Sequence, residues 1–413
     1  MEQSKQKILG VKGLVILIAL LSAFVPLSTD LYLPALPGMS DFFGVSADRI
    51  NLTLTAFMVF YALGTLVWGS LSDYFGRRPI LIIGLVVYVL ASLCCSLMWN
   101  VEGLVLGRIF QAIGGSATGV VATAIVKDVY SGKKRQSILA IVQSMVVISP
   151  VVAPMLGAFL LRIMSWRGVF WTLTIIGVVA LVGTLLFKET ISQRTTGMLL
   201  PSFGRLGLVL KNRGFAMLLV LFSLGAISTL AFVASSTYIY QDGFHLNEQN
   251  YSYFFSLNAL GMMVGPVIYL WMVKRFHTEK IIRACFALVA VSGVLIFFLG
   301  NFHPWVFALC VLPTAICGSC LRPGSVNMML EQQKGDTGAV SSLMGCTGML
   351  AGSLGMQLIS MPWSNLIHAL GIMFFSTATI SLIAWPLILP HVIHLPGPDS
   401  LGQQKQNLAE VNL

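Results

Sequence analysis

The sequence predicts an all-α membrane protein whose twelve transmembrane helices form two pseudo-symmetric six-helix bundles. Three observations carry this expectation. The 413-residue chain is 56% hydrophobic and only 10% charged, with a mean hydropathy of +0.86, whereas a soluble chain carries about 25% charged residues. Its apolar runs are continuous over about 20 residues, which suits a spanning helix and not the short alternating strands of a barrel. All but five of the 25 Lys and Arg fall at every second loop or at a terminus. The exceptions are Arg49, Arg162 and Arg167 on the opposite side, and Arg108 and Arg322 inside spans. Positive charge collects on the cytoplasmic side, so the count of spans is even and both termini are cytoplasmic.

The first span, 13–37, follows Lys5, Lys7 and Lys12 and so begins like a secretory signal. Its apolar stretch runs on without a small-residue cleavage site, and we read it as a retained helix. Spans at 49–71, 79–99, 101–127, 136–162 and 166–187 complete a first bundle over residues 1–187. Residues 188–213 hold Lys188, Arg194, Arg205, Lys211 and Arg213 without a long apolar run, and are read as a central cytoplasmic loop. Spans at 214–240, 250–273, 279–300, 303–329, 337–361 and 364–390 form a second bundle over 214–390. The polar residues 391–413 form a cytoplasmic tail.

Several function classes are disfavoured. The net charge of +10 is spread over short loops, not clustered on the one soluble face that nucleic-acid binding requires. No Gly-x-x-x-x-Gly-Lys sequence is present, so ATP hydrolysis by this chain is not expected. An intramembrane enzyme would need a cluster of ionisable ligands in the spans; one deep acid and no mid-span histidine argue against it. The seven cysteines all lie in apolar runs. Cys317 and Cys320 form a C-x-x-C without a second ligand pair nearby, so we read them as packing residues and not as a metal or redox site. We expect no cofactor and no metal, a lipid bilayer and a small molecule as partners, and a monomer.

The charges inside the membrane are the first candidates for chemistry. Of 15 acids, only Asp30 lies well inside a span. A carboxylate there costs roughly 3 kcal/mol unless it is protonated, hydrated or paired. Asp30 is seven residues from the predicted outer end of the first span, and Arg108 is seven from that of the fourth. Both depths are about 10 Å, so the two could meet directly or across a bound molecule. Glu102, at the outer mouth of the fourth span, is the next acid in line. Arg108, Gln111, Gly115 and Thr118 share one helix face. Arg108 is read as a coupling residue or, alternatively, as a structural hydrogen-bonding hub. Tyr61, Gln111, Gln143, Tyr238, Asn258 and Gln357 are candidate cavity residues. Arg322 either snorkels to the inner surface or contacts a bound anion or substrate.

The loop Gly69-Ser70-Leu71-Ser72-Asp73-Tyr74-Phe75-Gly76-Arg77-Arg78-Pro79 closely resembles the signature between helices 2 and 3 of the major facilitator superfamily. In it Gly69 permits close helix approach, Asp73 reaches a helix N-terminus or an arginine, and Gly76 allows a tight turn. Arg77 and Arg78 anchor at the inner leaflet. The stretch Gly107-Arg108-Ile109-Phe110-Gln111 resembles that family's membrane-embedded arginine motif, tied to proton coupling. Ser149-Pro150-Val151-Val152-Ala153-Pro154-Met155-Leu156-Gly157, Ser28-Thr29-Asp30-Leu31-Tyr32-Leu33-Pro34 and Trp166-Arg167-Gly168-Val169-Phe170-Trp171 resemble the Bcr/CflA (bicyclomycin/chloramphenicol resistance) type of drug:proton antiporter. Pro150, Pro154 and Gly157 are then conformational elements. The resemblance implies proton-driven efflux of small hydrophobic drugs across the inner membrane by alternating access. The alternatives are an exporter or importer of one metabolite, such as a siderophore or amino-acid derivative, and a non-transporting sensor.

Overall fold

The computed structural model describes residues 9–191, 206–333 and 337–392. Arg194 and Arg205 of the central loop, and the expected tail from residue 393 onward, lie outside these residues. No strand occurs among the described residues. Twelve spans follow one another as α1, Gly10–Ser22 continued by Phe24–Phe43; α2, Ala47–Phe75; α3, Arg77–Leu97; α4, Val101–Val129; α5, Gly132–Ile163; α6, Trp166–Leu186. The second half holds α7, Arg213–Tyr238; α8, Glu248–Met272; α9, Thr278–Leu299; α10, Pro304–Glu331; α11, Thr337–Ile359; and α12, Leu366–Ile388. Turns begin where short polar side chains cap the next helix. Asn100 accepts from Gly103 N, Asn212 from Phe215 N, Asn247 from Asn250 N, and Asn365 from Ile367 N. Large apolar side chains such as Phe298, Leu387 and Val267 point outward, each at least 65% exposed, as lipid contact demands.

The first span departs from the expected single helix 13–37. It bends by 41° after Ser22 and breaks again after Asp30, continuing as a short 3-10 turn, Leu33–Ala35, and a helix, Leu36–Phe43. Prolines explain both breaks. Pro26 and Pro34 have no N–H to give to the carbonyls four residues earlier, those of Ser22 and Asp30, and their rings crowd them. Asp30 therefore ends a helical piece beside an interrupted backbone. Span ends elsewhere lie within four residues of expectation, and α7 continues into a π turn, Ile239–Gly243.

The two halves meet along α2 with α11 and α5 with α8. One apolar core at the end carrying Tyr32, Met39 and Leu54 joins both halves, through Phe170 and Leu173 on one side and Tyr240, Phe307 and Phe374 on the other. At the opposite, Lys- and Arg-rich end the cores separate. Leu85, Val121 and Phe187 belong to one; Phe215, Phe286 and Val340 belong to another. Among the described residues, three hydrogen bonds cross between halves at the joined end. Asn51 Nδ2 donates to Ser360 Oγ (2.9 Å), Gln241 Nε2 to the Pro34 carbonyl (3.1 Å), and Ser256 Oγ to the Val151 carbonyl (2.7 Å). Arg167 also clamps this end, its guanidinium 4.4–4.7 Å from the ring centroids of Trp166, Trp99 and Phe42.

Candidate functional site

Arg108 is fully buried in the first half. Its position is set by α4, whose buried face brings Arg108 and Gln111 toward α1, α2 and α3. One Nη1 donates to the Ser28 carbonyl at 2.9 Å and to Gln111 Oε1 at 2.6 Å. Gln111 in turn donates to Ser92 Oγ on α3 at 2.7 Å. The guanidinium lies 4.2 Å from the Phe57 ring centroid and 5.0 Å from that of Tyr32. Aromatic faces thus supply part of the negative potential that a carboxylate would otherwise provide. The other terminal nitrogen, Nη2, has no partner among the described residues. The charge is held by carbonyls, an amide and rings, and reads the backbone of α1 two residues before Asp30.

Asp30 is 7% exposed, accepts from Thr29 Oγ1 at 3.0 Å, and forms no ion pair among the described residues. Of the two arrangements their depths allow, direct contact or contact across a bound molecule, the direct Asp30–Arg108 contact is therefore not formed in this conformation. The expected depth rested on a span ending near Pro37, but α1 runs to Phe43. The 3-10 turn that follows Asp30 packs against α7 and α8 of the other half, where the Tyr251 hydroxyl is 3.3 Å from Ser236 Oγ. Gly157 of α5 closes the arrangement: a Cβ there would strike the Leu31 carbonyl, so only glycine lets α5 pack on the break after Asp30. Pro150 and Pro154 lie within the same continuous α5.

The remaining candidates divide. Gln111 is consumed by the Arg108 network, which removes it from the cavity set. Glu102 is exposed on the same face of α4 as Leu106 and Phe110, turned away from buried Arg108; it stands outside the cluster. Tyr61 is buried against Phe57 and Ala112, beside Met349 of α11 across the seam. Tyr238 lies in the joined core with its hydroxyl unpartnered among the described residues. Asn258 is buried, Gln357 half-buried, and Gln143 and Arg322 exposed. A separate cavity of about 610 Å³ lies between α5, α8 and α10, lined by Val151, Met155, Tyr253, Leu257 and Trp305, and contains none of these candidates.

At the basic end, Arg77 is buried and joins Asp73, one turn back, to Asp128 of α4 at 2.9 Å. Glu189, after α6, accepts from the backbone N–H groups of Arg77 (3.1 Å) and Arg78 (3.0 Å), capping α3. Arg78 donates to the Leu185 carbonyl. The expectation that Arg77 and Arg78 anchor in the leaflet is corrected: they tie α2, α3, α4 and the end of α6 together. Gly76 adopts a φ of 109° with the Glu189 carboxylate beside it, so the expected tight turn is present. Gly69 does not set a close approach, since a Cβ would meet Val120 at an ordinary 3.5 Å; Gly64, packed on Ser116, does. Asp128 and Glu189 were missed because both acids sit at span ends, where sequence alone reads them as solvated. Cys317 and Cys320 pack with Cys285 of α9.

Comparison with known proteins follows this geometry. Residues 18–356 match the family model of the Major Facilitator Superfamily. The chain is 28% identical to a chloramphenicol resistance protein of Pseudomonas aeruginosa, over 89% of this chain and 88% of that one. It is 24% identical to a bicyclomycin resistance protein homolog of Haemophilus influenzae, over 84% and 88%. The crystal structure of a D-xylose-proton symporter superposes with a TM-score of 0.72, at 13% identity, covering 93% of this chain and 98% of that one.

Proposed function

The chain belongs to the Major Facilitator Superfamily, and from that premise we propose that it exports small, largely apolar compounds in exchange for protons. The observation that carries the reading is the lopsided seam. The halves share one core at one end and keep separate cores at the other, which is one of the two arrangements alternating access requires. The basic end is assigned to the cytoplasm, so this conformation is open inward, in an inner membrane with both termini cytoplasmic. The similarity to chloramphenicol and bicyclomycin resistance proteins supports drugs as cargo.

Asp30 is the proposed proton carrier and Arg108 its positioning residue. An unpaired carboxylate in low dielectric is costly, and a proton is the smallest group that cancels its charge. Asp30 sits where α1 is broken and where the halves touch, so rocking one half against the other changes its surroundings. Arg108 fixes the backbone of Ser28 and so the path of that break. No cofactor beyond the proton gradient and no catalytic step is invoked. The test is reconstitution in liposomes with an imposed pH gradient, following chloramphenicol and lipophilic dyes together with a pH-sensitive reporter. Compound-dependent proton flux in the opposite direction supports antiport; compound movement without proton flux removes the coupling.

A further inference from the structure

We infer that the vestibule of the second half holds an anion subsite at Arg322, and that the exported compounds include amphipathic organic anions; this rests on the export reading above. On α10, Ile316 and Ser319 pack on Gly261 and Gly265 of α8, and Cys317 and Cys320 pack on Cys285 of α9. Between those neighbours Leu309, 59% exposed, faces the lipid. Gly318 is nine residues further on, about 180° around the helix at ~100° per residue. No atom lies within 4 Å of where its Cβ would be. Arg322 is one turn beyond Gly318 and shares that side. It therefore faces away from lipid, toward the side on which the two halves meet at the basic end, where their cores do not merge.

Arg322 is exposed there and makes no ion pair among the described residues. It is nine residues from Glu331, the last residue of α10, or about 14 Å along the axis. On α8 the residue Met262, 38% exposed, follows Gly261 and stands nearer the closed end than Arg322. Tyr61 and Met349 pack together across the α2–α11 seam. A guanidinium below and an apolar wall above suit a molecule with an apolar body and one carboxylate or sulfonate, the anion directed toward the open end. The excess of Lys and Arg in the loops assigned to this end also draws anions to the opening.

The experiment uses the full chain in lipid nanodiscs with 1-pyrenebutyrate and its methyl ester, read by pyrene fluorescence. Wild type binds the acid more tightly than the ester. In Arg322→Gln the acid weakens roughly tenfold or more, as loss of a charge-assisted contact predicts, while the ester is unchanged. Arg322→Lys restores part of the preference. Equal weakening of both probes would show a packing defect, and a change under twofold for the acid would show an arginine that snorkels; either overturns the subsite. Proton-driven export of the neutral ester by wild-type proteoliposomes reports on the export reading separately, so the two can fail independently.

Discussion

Loosening the closed end should open it, and the cost can be worked from its three crossing hydrogen bonds. Ser256→Ala removes the bond to the Val151 carbonyl, and Gln241→Ala removes that to the Pro34 carbonyl along with one to Thr237 Oγ1. A neutral hydrogen bond contributes about 1 kcal/mol net. The two sites are on different helices and share no partner, so their effects add. The double variant should shift the balance between the two conformations by about 2 kcal/mol, or roughly 30-fold toward the outward-open form. Asn51→Ala differs. Asn51 Oδ1 is buried without a partner among the described residues, so truncation removes a burdened atom along with the bond to Ser360, and the two effects offset. Spin labels at Met164 and Phe302, exposed positions on opposite halves at this end, report the separation by double electron–electron resonance. The protein would carry replacements of its seven native cysteines. An unchanged distance distribution in the double variant, or a shift in Asn51→Ala as large as in the pair, would refute the reasoning.

Asp30→Asn should abolish uphill, pH-driven export while leaving equilibrium binding and exchange, and Glu102→Gln should do neither; substrate-induced proton release that survives in Asp30→Asn would move the proton site elsewhere. Glu189→Gln weakens the cap on α3 and should cost roughly 1 kcal/mol of stability, seen as a lower melting temperature in detergent; an unchanged melting temperature would mean the cap contributes nothing. Gly157→Val drives a side chain into the Leu31 carbonyl and should cost at least about 1–3 kcal/mol, whereas Gly69→Ala should be tolerated, since its Cβ would meet Val120 at contact distance. Equal melting temperatures for the Gly157 and Gly69 variants would contradict the packing of α5 on α1.

What sequence could convey here follows from how far apart the interacting residues lie. Spans were legible because a lipid-facing helix needs about 20 apolar residues regardless of its neighbours. Part of the remainder was present locally. Pro26 and Pro34 mark both breaks in α1, and the helical period alone separates Glu102 from Arg108 by about 120°. The rest is long-range. Arg77 meets Asp128, 51 positions on, and Glu189, 112 positions on, and no local pattern pairs a loop arginine with those acids over a membrane surface. Arg108 shows the same limit. Equal depth suggested an aspartate partner, but depth fixes one coordinate of three. The guanidinium turns instead to the Ser28 carbonyl, Gln111 and two aromatic faces. That choice bears on mechanism. Had Arg108 paired with Asp30, the pair would be neutral whichever way the protein faced, and moving α1 would have to break it. Held as it is, Arg108 keeps its charge satisfied by carbonyl, amide and ring, while Asp30 forms no ion pair among the described residues. On the proposed reading of Asp30 as proton carrier, the acid would then exchange its proton when the seam moves without first dismantling the scaffold that positions it.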